Sequence, residues 1–361
     1  MLSVSAYGKR LQKPMATSIY EVAAEANVSI ATVSRVLNGK TCAQVAVATQ
    51  ERVREAARRL EYHPSGVARG LARGRMNTIG LVLYYEQSSV TSDPYLGPCL
   101  DGILAVHKRN HQNTILFTKS SWSEALEHLP SYCNGHCDGL MLILPRTDSA
   151  LVDALAVRKI PFVLVGDSRN DPGLLCADVD NVHAGRAAVQ HLIGLGHRRI
   201  AAFRGNSVFS SSEQRLIGYR QALEEAGIVY DTALVQNGSY FPSPELCEEN
   251  VRTLLARPLS ERPTAIFCFN DNMALGTLRT LQRYGISVPH DISVIGFDDV
   301  PNASTVSPAL TTMRQPIHEI GEHAANLLLA QINGTTESEQ NKLLPAEIIV
   351  RASTGVPPPA V

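Results

Sequence analysis

The chain lacks most of what an exported, membrane-bound or catalytic protein requires. No apolar run approaches the roughly 18 residues of a membrane-spanning helix. The N-terminus has no apolar stretch of the kind that marks a secretory signal. Seven cysteines, an odd number at irregular spacing, do not make a disulfide framework. Their densest group, Cys133-Asn134-Gly135-His136-Cys137 beside Asp138, would need a fourth ligand and a second shell to make a metal site, and no matching cluster appears elsewhere in the sequence. No glycine-rich phosphate loop follows a strand, and no histidine sits in a nucleophile or metal motif. Asp298-Asp299 with His183, His191 or His197 is the best acid–base set available to an enzyme, and nothing orders those groups into a site. The expectation is a cytoplasmic protein with no catalytic residues, no metal and no cofactor.

Net charge is nearly absent as well, at −1 over 361 residues. Its distribution carries the information. Residues 1–75 hold twelve Lys/Arg and five acids, a net of +7, so the remainder carries −8. A basic head on an acidic body is what phosphate contact by one end requires. At roughly 100–200 residues per domain, the length predicts two or three units.

The most informative stretch is 18–38. Ser18 with Glu21 forms a capping box, each side chain satisfying a free N–H at a helix start. Ile19, Val22, Ala23 and Ala26 follow at helical spacing. Asn27-Val28-Ser29 interrupts, and Ser29 is a good N-cap for a second helix over 30–37. Val33, Val36 and Leu37 turn inward there, leaving Ile30, Ala31, Thr32, Ser34 and Arg35 outside. Two short helices joined by a tight turn make a helix-turn-helix. A third helix over 50–60, with Thr49 as a candidate cap, places Val53, Ala56, Ala57 and Leu60 on one face to close a three-helix core. Tyr62-His63-Pro64 ends the head. Residues 64–75 carry three glycines and read as a linker in the free protein.

From residue 78 onward, apolar runs alternate with helical stretches. Strands are predicted at 78–84, 114–118, 139–144, 162–165, 200–203, 265–269 and 292–297. Helices are predicted at 96–107, 148–157, 182–195, 213–226, 244–255 and 272–284. Continuous Val/Ile/Leu runs between helices mean parallel sheets covered on both faces, and this many units implies two doubly wound lobes. Ligands in such folds bind outside the carboxyl ends of the strands. Polar residues following the runs are therefore site candidates: Asp93-Pro94-Tyr95, Thr147-Asp148, Asp178 to Asn181, Ser210 to Arg215, Tyr240-Phe241, Asn270-Asp271 and Asp298-Asp299. Carboxylates, an arginine, an amide and aromatic rings together suit a sugar. Each is equally read as a cap, a turn former or a solvated acid; Asp180 and Asp271 in particular suit helix caps.

The order of residues in the head resembles the DNA-binding head of the lac/gal repressor family: Tyr20, Val22-Ala23, Ala26, Val28-Ser29, Thr32-Val33-Ser34-Arg35-Val36 and Leu37-Asn38. Further on, Ser212-x-x-Arg215-x-x-Gly218-Tyr219, Asn270-Asp271-x-Met273-Ala274-x-Gly276, Val294 to Asp299, Leu310-Thr311-Thr312 and Ile349 to Thr354 resemble the family's effector-domain motifs. The resemblance implies an all-α helix-turn-helix head on an α/β two-lobed, periplasmic-binding-protein-like core of doubly wound parallel sheets. It implies an extension over 1–16, a head over 17–63, a hinge over 64–75 and an effector-binding and dimerisation core over 76–361. Ser18, Ile30, Ala31, Thr32, Ser34, Arg35 and Asn38 would contact DNA. Val67, Ala68 and Leu71 would form a hinge helix on the operator, with Gly70 departing from the family's larger residue. Asp93, Tyr95, Thr147, Arg215, Tyr240, Asn270 and Asp298 would bind the effector. Met15 is an alternative start by the same comparison. The implied protein is a transcription regulator, a repressor, that binds a palindromic double-stranded DNA operator as a homodimer under control of a small molecule, a sugar. The triproline tail 357–359 argues against a leucine-heptad tetramer. The rival classes are a two-lobed solute-binding protein and a sugar-active enzyme. The first would carry an export signal and no DNA head.

Overall fold

The computed structural model describes residues 17–38, 44–64, 70, 74–84, 93–119, 121–122, 124–169, 171, 173–335, 341 and 343–359. The chain divides into two compact units, Met1–Met76 and Asn77–Val361.

The described residues of the first unit include the helices α1 (Ile19–Glu25), α2 (Ile30–Asn38) and α3 (Val47–Arg59). Ser18 and Glu21 form the capping box at the start of α1. The turn 26–29 returns its N–H groups to α1, with Val28 N donating to Ala23 O at 3.0 Å. Ser29 then caps α2, its hydroxyl accepting from Thr32 N at 3.2 Å. α3 starts earlier than its periodicity predicts, with Ala46 rather than Thr49 at the cap. Val22, Val33, Val36, Val53, Ala56 and Ala57 form the buried centre, with Leu37 and Leu60 packed at its edge. Small and β-branched side chains suffice because the helices are short and cross closely.

The second unit is two lobes, each a doubly wound sheet. The sheet of lobe 1 runs β2-β1-β3-β4-β5, from β1 (Thr78–Tyr84), β2 (Asn113–Lys119), β3 (Gly139–Ile143), β4 (Phe162–Val165) and β5 (Cys176–Ala177). The sheet of lobe 2 runs β11-β10-β9-β8-β6-β7, from β6 (Ile200–Arg204), β7 (Val235–Asn237), β8 (Ala265–Cys268), β9 (Ser293–Asp298), β10 (Thr311–Arg314) and β11 (Glu347–Ile349). All pairings are parallel except β10 with β11. Strands β3, β4 and β8 are buried along their whole length, as continuous apolar runs between two helical layers must be. Four of these strands, β5, β7, β10 and β11, were not among the predicted ones; they are short or polar.

Lobe 1 carries α4 (Leu96–Arg109), α5 (Leu129–Tyr132) and α6 (Ala150–Val157). Lobe 2 carries α7 (Asn181–Gly194), α8 (Ser210–Glu225), α9 (Pro244–Leu255) and α10 (Asp271–Arg283). The last helix, α11 (Ile317–Asn333), follows a lobe 2 strand yet packs on α4, β3 and β4 of lobe 1. Gly334, at φ +72°, ends it in the left-handed cap conformation that glycine adopts without strain. The chain therefore crosses between lobes at 178–180, at 315–316 and between Asn341 and β11. Two of the crossings are stitched together: Asp180 N donates to Leu344 O and Leu344 N to Asp178 O, both at 2.9 Å. Among the described residues no helix is long and apolar enough to cross a membrane.

Candidate functional site

Both sheets end on one cavity. Its lining takes Leu83, Trp122, Ile143 and Gly166 from the ends of lobe 1 strands, and Asn206, Tyr240, Asn270 and Asp298 from those of lobe 2. It encloses about 180 Å³, room for one small organic molecule rather than a polymer. The placement is the expected one for doubly wound sheets, whose strand ends diverge where the strand order reverses.

Arg215 is held on several sides. It projects from the second turn of α8 and is 4% exposed. Its Nε donates to Asn181 Oδ1 at 2.8 Å, and its Nη1 donates to Phe269 O. Its guanidinium carbon lies 3.5 Å from the centroid of the Phe297 ring, a cation–π stack that helps to hold the buried charge alongside the Asp298 and Asp178 carboxyls. Gly218 makes this possible: a Cβ there would overlap Val182 O, so α7 and α8 approach backbone to backbone. Its Nη2 makes no hydrogen bond among the described residues.

Asp298 follows Phe297 and ends β9 with φ +126°, a conformation L residues rarely adopt. Such strain costs on the order of 1–3 kcal/mol and concentrates where a side chain must be aimed. Its Oδ1 accepts from Gln315 Nε2 at 2.6 Å. Burial pushes its carboxyl above the usual range, while Arg215 and the Gln315 bond hold it down. The neighbouring Asp299 does different work. It accepts from Arg314 Nε at 2.7 Å and Arg351 Nη2 at 2.6 Å, tying β10 to the C-terminal segment. Asp271, also read as ambiguous, is fully buried, accepting from Thr312 Oγ1 at 2.7 Å and Val300 N at 2.9 Å. It is structural, and the cap of α10 is Asn270 instead.

Asn270 Oδ1 accepts from Met273 N at 2.9 Å, and its Nδ2 donates to Tyr240 O at 2.8 Å. The amide thus caps a helix and anchors the loop that bears Tyr240, while still lining the cavity. The Tyr240 ring lies over Gly205, where a Cβ would overlap it, and its hydroxyl is 3.1 Å from Ser211 Oγ. On lobe 1, Asp93 Oδ1 accepts from Tyr95 N and Leu96 N, both at 2.9 Å, and so starts α4. The Tyr95 hydroxyl is buried in the lining with no hydrogen-bond partner among the described residues. Burial, then Cys99, Asp178 and Asp298, raise its pKa well above the phenol range.

The structure does not bring Thr147 to the cavity. Its N–H and hydroxyl both donate to Val208 O, at 2.8 and 3.1 Å, bridging the lobes. Arg146 lines the cavity in its place, held by Asp148 through bonds of 2.9 and 2.7 Å. Two further lining residues, Asp178 and Gln315, sit on the crossings between lobes. Asp178 accepts from Val179 N and Asn181 Nδ2, both at 2.8 Å, and burial pushes its carboxyl up to about 7. Trp122 and Phe209 complete the lining as apolar surface.

In the first unit, Ile30 is 39% exposed, Ala31 and Arg35 are exposed, and Thr32 and Ser34 are half-buried. Thr32 Oγ1 lies 2.9 Å from Ser29 Oγ. Arg35 has no hydrogen bond or ion pair among the described residues. Ser18 is occupied by its capping box, and Asn38 ends α2. Tyr20, on α1, is 69% exposed. Val67, Ala68 and Leu71 lie outside the described residues.

A helix-turn-helix unit joined to a two-lobed core with a cavity at the facing strand ends defines a ligand-responsive DNA-binding protein. Comparison with known proteins specifies which. Residues 18–65 match the model of bacterial regulatory proteins of the lacI family, and residues 189–354 match a periplasmic binding protein-like domain. The chain is 35% identical over 338 residues to the HTH-type transcriptional regulator CelR of Thermobifida fusca, covering 92% of this chain and 96% of that one. Among solved structures, a CelR–cellobiose complex matches with a TM-score of 0.70 at 32% identity, over 93% of this chain and 99% of that one. A lac repressor dimer bound to operator and the anti-inducer ONPF matches with a TM-score of 0.79 at 26% identity, over 94% and 99%. The chain belongs to the lacI family of bacterial regulatory proteins and is a DNA-binding transcription regulator.

Proposed function

We propose that this protein is a cytoplasmic repressor that binds a palindromic operator as a homodimer, and that a sugar held in the cavity changes its operator affinity. The observation that carries the reading is Arg215 stacked on Phe297 beside the strained Asp298. This cation and carboxylate are fixed at the meeting point of two lobes, with aromatic surface around them. Hydroxyl groups of a sugar pair with such polar groups while its ring faces pack on the aromatics. The cellobiose complex of CelR supports a sugar, and the lac repressor dimer on operator supports the assembly. Arg215, Asp298, Tyr240, Asn270, Asp93 and Tyr95 are assigned to the effector, with Arg146, Asp178 and Gln315 added and Thr147 moved to lobe bridging. No catalytic step is assigned.

In the head, residues 17–63 dock on DNA through Ile30, Ala31, Thr32, Ser34 and Arg35. Ile30 and Ala31 offer apolar contact, for instance to a thymine methyl, and Arg35 is the long donor that can pair bidentately with guanine. Ser18, Asn38 and Tyr20 reach the backbone. The hinge over 64–75 folds on the operator, with Val67 and Ala68 packing and Leu71 acting as a minor-groove wedge. The core over 76–361 binds the effector and dimerises.

The test is operator selection from a randomised library with wild type and Arg35→Ala. The reading expects a palindromic site for the wild type and relaxed preference at one base per half-site for the variant, worth roughly 1–3 kcal/mol of discrimination. Uniform weakening on all sequences with an unchanged motif would reduce Arg35 to a phosphate contact.

A further inference from the structure

Ser168, in the loop after β4, and Gln214, on α8, join lobe 1 to lobe 2. Gln214 Nε2 donates to Ser168 O at 3.0 Å. A backbone carbonyl only accepts, so this bond fixes the amide and turns Gln214 Oε1, an acceptor, toward the Ser168 hydroxyl 3.1 Å away. On its other side the same hydroxyl lies 3.1 Å from Asp178 Oδ2. Asp178 sits on the crossing between the lobes and is 2% exposed. One hydroxyl proton therefore faces two acceptor oxygens. The neighbouring amide has no proton to spare for Gln214. Asn181 Oδ1 accepts from Arg215 Nε at 2.8 Å, which turns Asn181 Nδ2 to Asp178 Oδ2, also at 2.8 Å.

A proton on Asp178 Oδ2 satisfies every atom of the set. The acid then donates to Ser168 Oγ, Ser168 donates to Gln214 Oε1, and Gln214 Nε2 returns to Ser168 O. The surroundings permit the neutral acid. Burial pushes the Asp178 carboxyl up to about 7, opposed by Val179 N, Arg215 and Ser168 and reinforced by Asp167. Arg215 faces it from α8, shared with Asp298. Asp167, from the loop after β4, is paired with Arg169. Cys176 of β5 and Tyr95 at the start of α4 also face it, and burial raises both, so they stay uncharged. Asp93 and Arg146 share the cavity lining with it. Without the proton, the Ser168 hydroxyl turns to the carboxylate, the stronger acceptor, and Gln214 Oε1 loses its donor.

We propose that the Ser168–Gln214 link between the lobes is proton-operated: complete while Asp178 is a neutral acid, and stripped of its hydroxyl bond when Asp178 gives its proton to solvent. The first test is infrared spectroscopy of the full-length protein carrying isotopically labelled aspartate. Burial raises Asp271 and Asp298 as well, so each spectrum is read against its own Asp178→Asn counterpart, with Asp178→Ala in reserve should that not fold. The difference should show the carbonyl band of a protonated carboxyl at about pH 5, lost with a midpoint near the value of about 7 that burial gives. In Gln214→Met the Ser168 proton has one acceptor left and goes to the carboxylate, so the midpoint should fall by about one pH unit. No band at about pH 5, or a midpoint that Gln214→Met leaves in place, would overturn the proposal, because Ser168 would then already donate to an ionised Asp178.

The link itself is read from a double-mutant cycle of Ser168→Ala and Gln214→Met in urea unfolding, run at about pH 5 and about pH 8. The bond from Gln214 Nε2 to Ser168 O survives in Ser168→Ala and cancels in the cycle, which leaves the hydroxyl bond. Its coupling should be about five-fold in the unfolding equilibrium at the lower pH and close to none at the higher. Equal coupling at both would mean that the link holds without the proton, and the proposal would fail even with Asp178 titrating as expected.

Discussion

The two lobes share a strand order but contribute different chemistry to the cavity between them. Lobe 1 supplies mostly surface: Leu83, Pro94, Leu96, Trp122, Ile143 and Leu144. Lobe 2 supplies most of the fixed polar groups, Asn206, Ser211, Arg215, Asn270, Asn272 and Asp298. Those groups are already held by one another and by backbone, so their geometry does not wait for a ligand. Lobe 1 contributes polar atoms that are either spent, as in Asp93 and Arg146, or unpaired, as in the Tyr95 hydroxyl. The difference teaches a division of labour. Lobe 2 orients a ligand, and lobe 1 covers it and removes water, which strengthens each polar contact made below.

The largest expected effect comes from breaking the lobe 2 side. Arg215→Ala removes a ligand donor and strands Asn181 and Phe269 O, and charged hydrogen bonds are worth roughly 1.5–3 kcal/mol each. Calorimetric titration with a sugar that raises the melting temperature of the full-length chain should therefore show affinity lower by about ten-fold to more than a hundred-fold. An equal loss from a lobe 1 surface residue such as Trp122→Ala would erase the asymmetry. Tyr95→Phe should be milder and two-signed. The ligand-free protein loses an unpaired buried hydroxyl and should be unchanged or up to about 1 kcal/mol more stable in urea, while affinity falls by at most about ten-fold. Stability lost without ligand would mean that the hydroxyl already has a partner.

The smallest effect belongs to the crossing. Asp178 has its carboxyl raised to about 7 by burial, so between about pH 4 and 7 the folded chain keeps a proton that the unfolded chain has lost. This group's contribution to stability is thus present below the unfolded value and falls as pH rises through that window, then levels. Asp178→Asn should flatten the fall, read as the difference between the two proteins in urea unfolding at about pH 5 and about pH 8. A parallel pH dependence in both would place the titration elsewhere.

Much of this was legible in the sequence where a signal is local. The capping box at Ser18 and Glu21, the inward Val33 and Val36, and the apolar runs of β3, β4 and β8 depend on neighbours within a few residues. Asn270 and Asp298 stood among the candidates because polar residues end apolar runs, and the family resemblance singled them out together with Arg215; all three line the cavity. What was not visible depended on the chain returning from a distance. Helix α11 has a helical period, but nothing nearby says that it belongs to lobe 1. Asp178 stood among the candidates, whereas Gln315 became a lining residue only because its crossing passes beside the cavity. Thr147 was expected in the lining and instead bonds Val208 O, while its neighbour Arg146, which the sequence did not single out, lines the cavity, a matter of how the loop after β3 meets Val208. Asn270 took the cap that Asp271 was equally suited to, because Thr312 and Val300 claim the Asp271 carboxylate.

The central claim is that Arg215 and Asp298 read the molecule that controls DNA binding. It is tested most directly by fluorescence anisotropy of the selected operator with full-length protein, titrated with the stabilising sugar. For the wild type the account predicts a change in operator affinity of about 5–150-fold at saturation, the usual range for coupled sites. Arg215→Ala and Asp298→Ala should bind operator like wild type without sugar and lose the response over the same concentrations. A dose–response in both variants that superimposes on the wild type would contradict it.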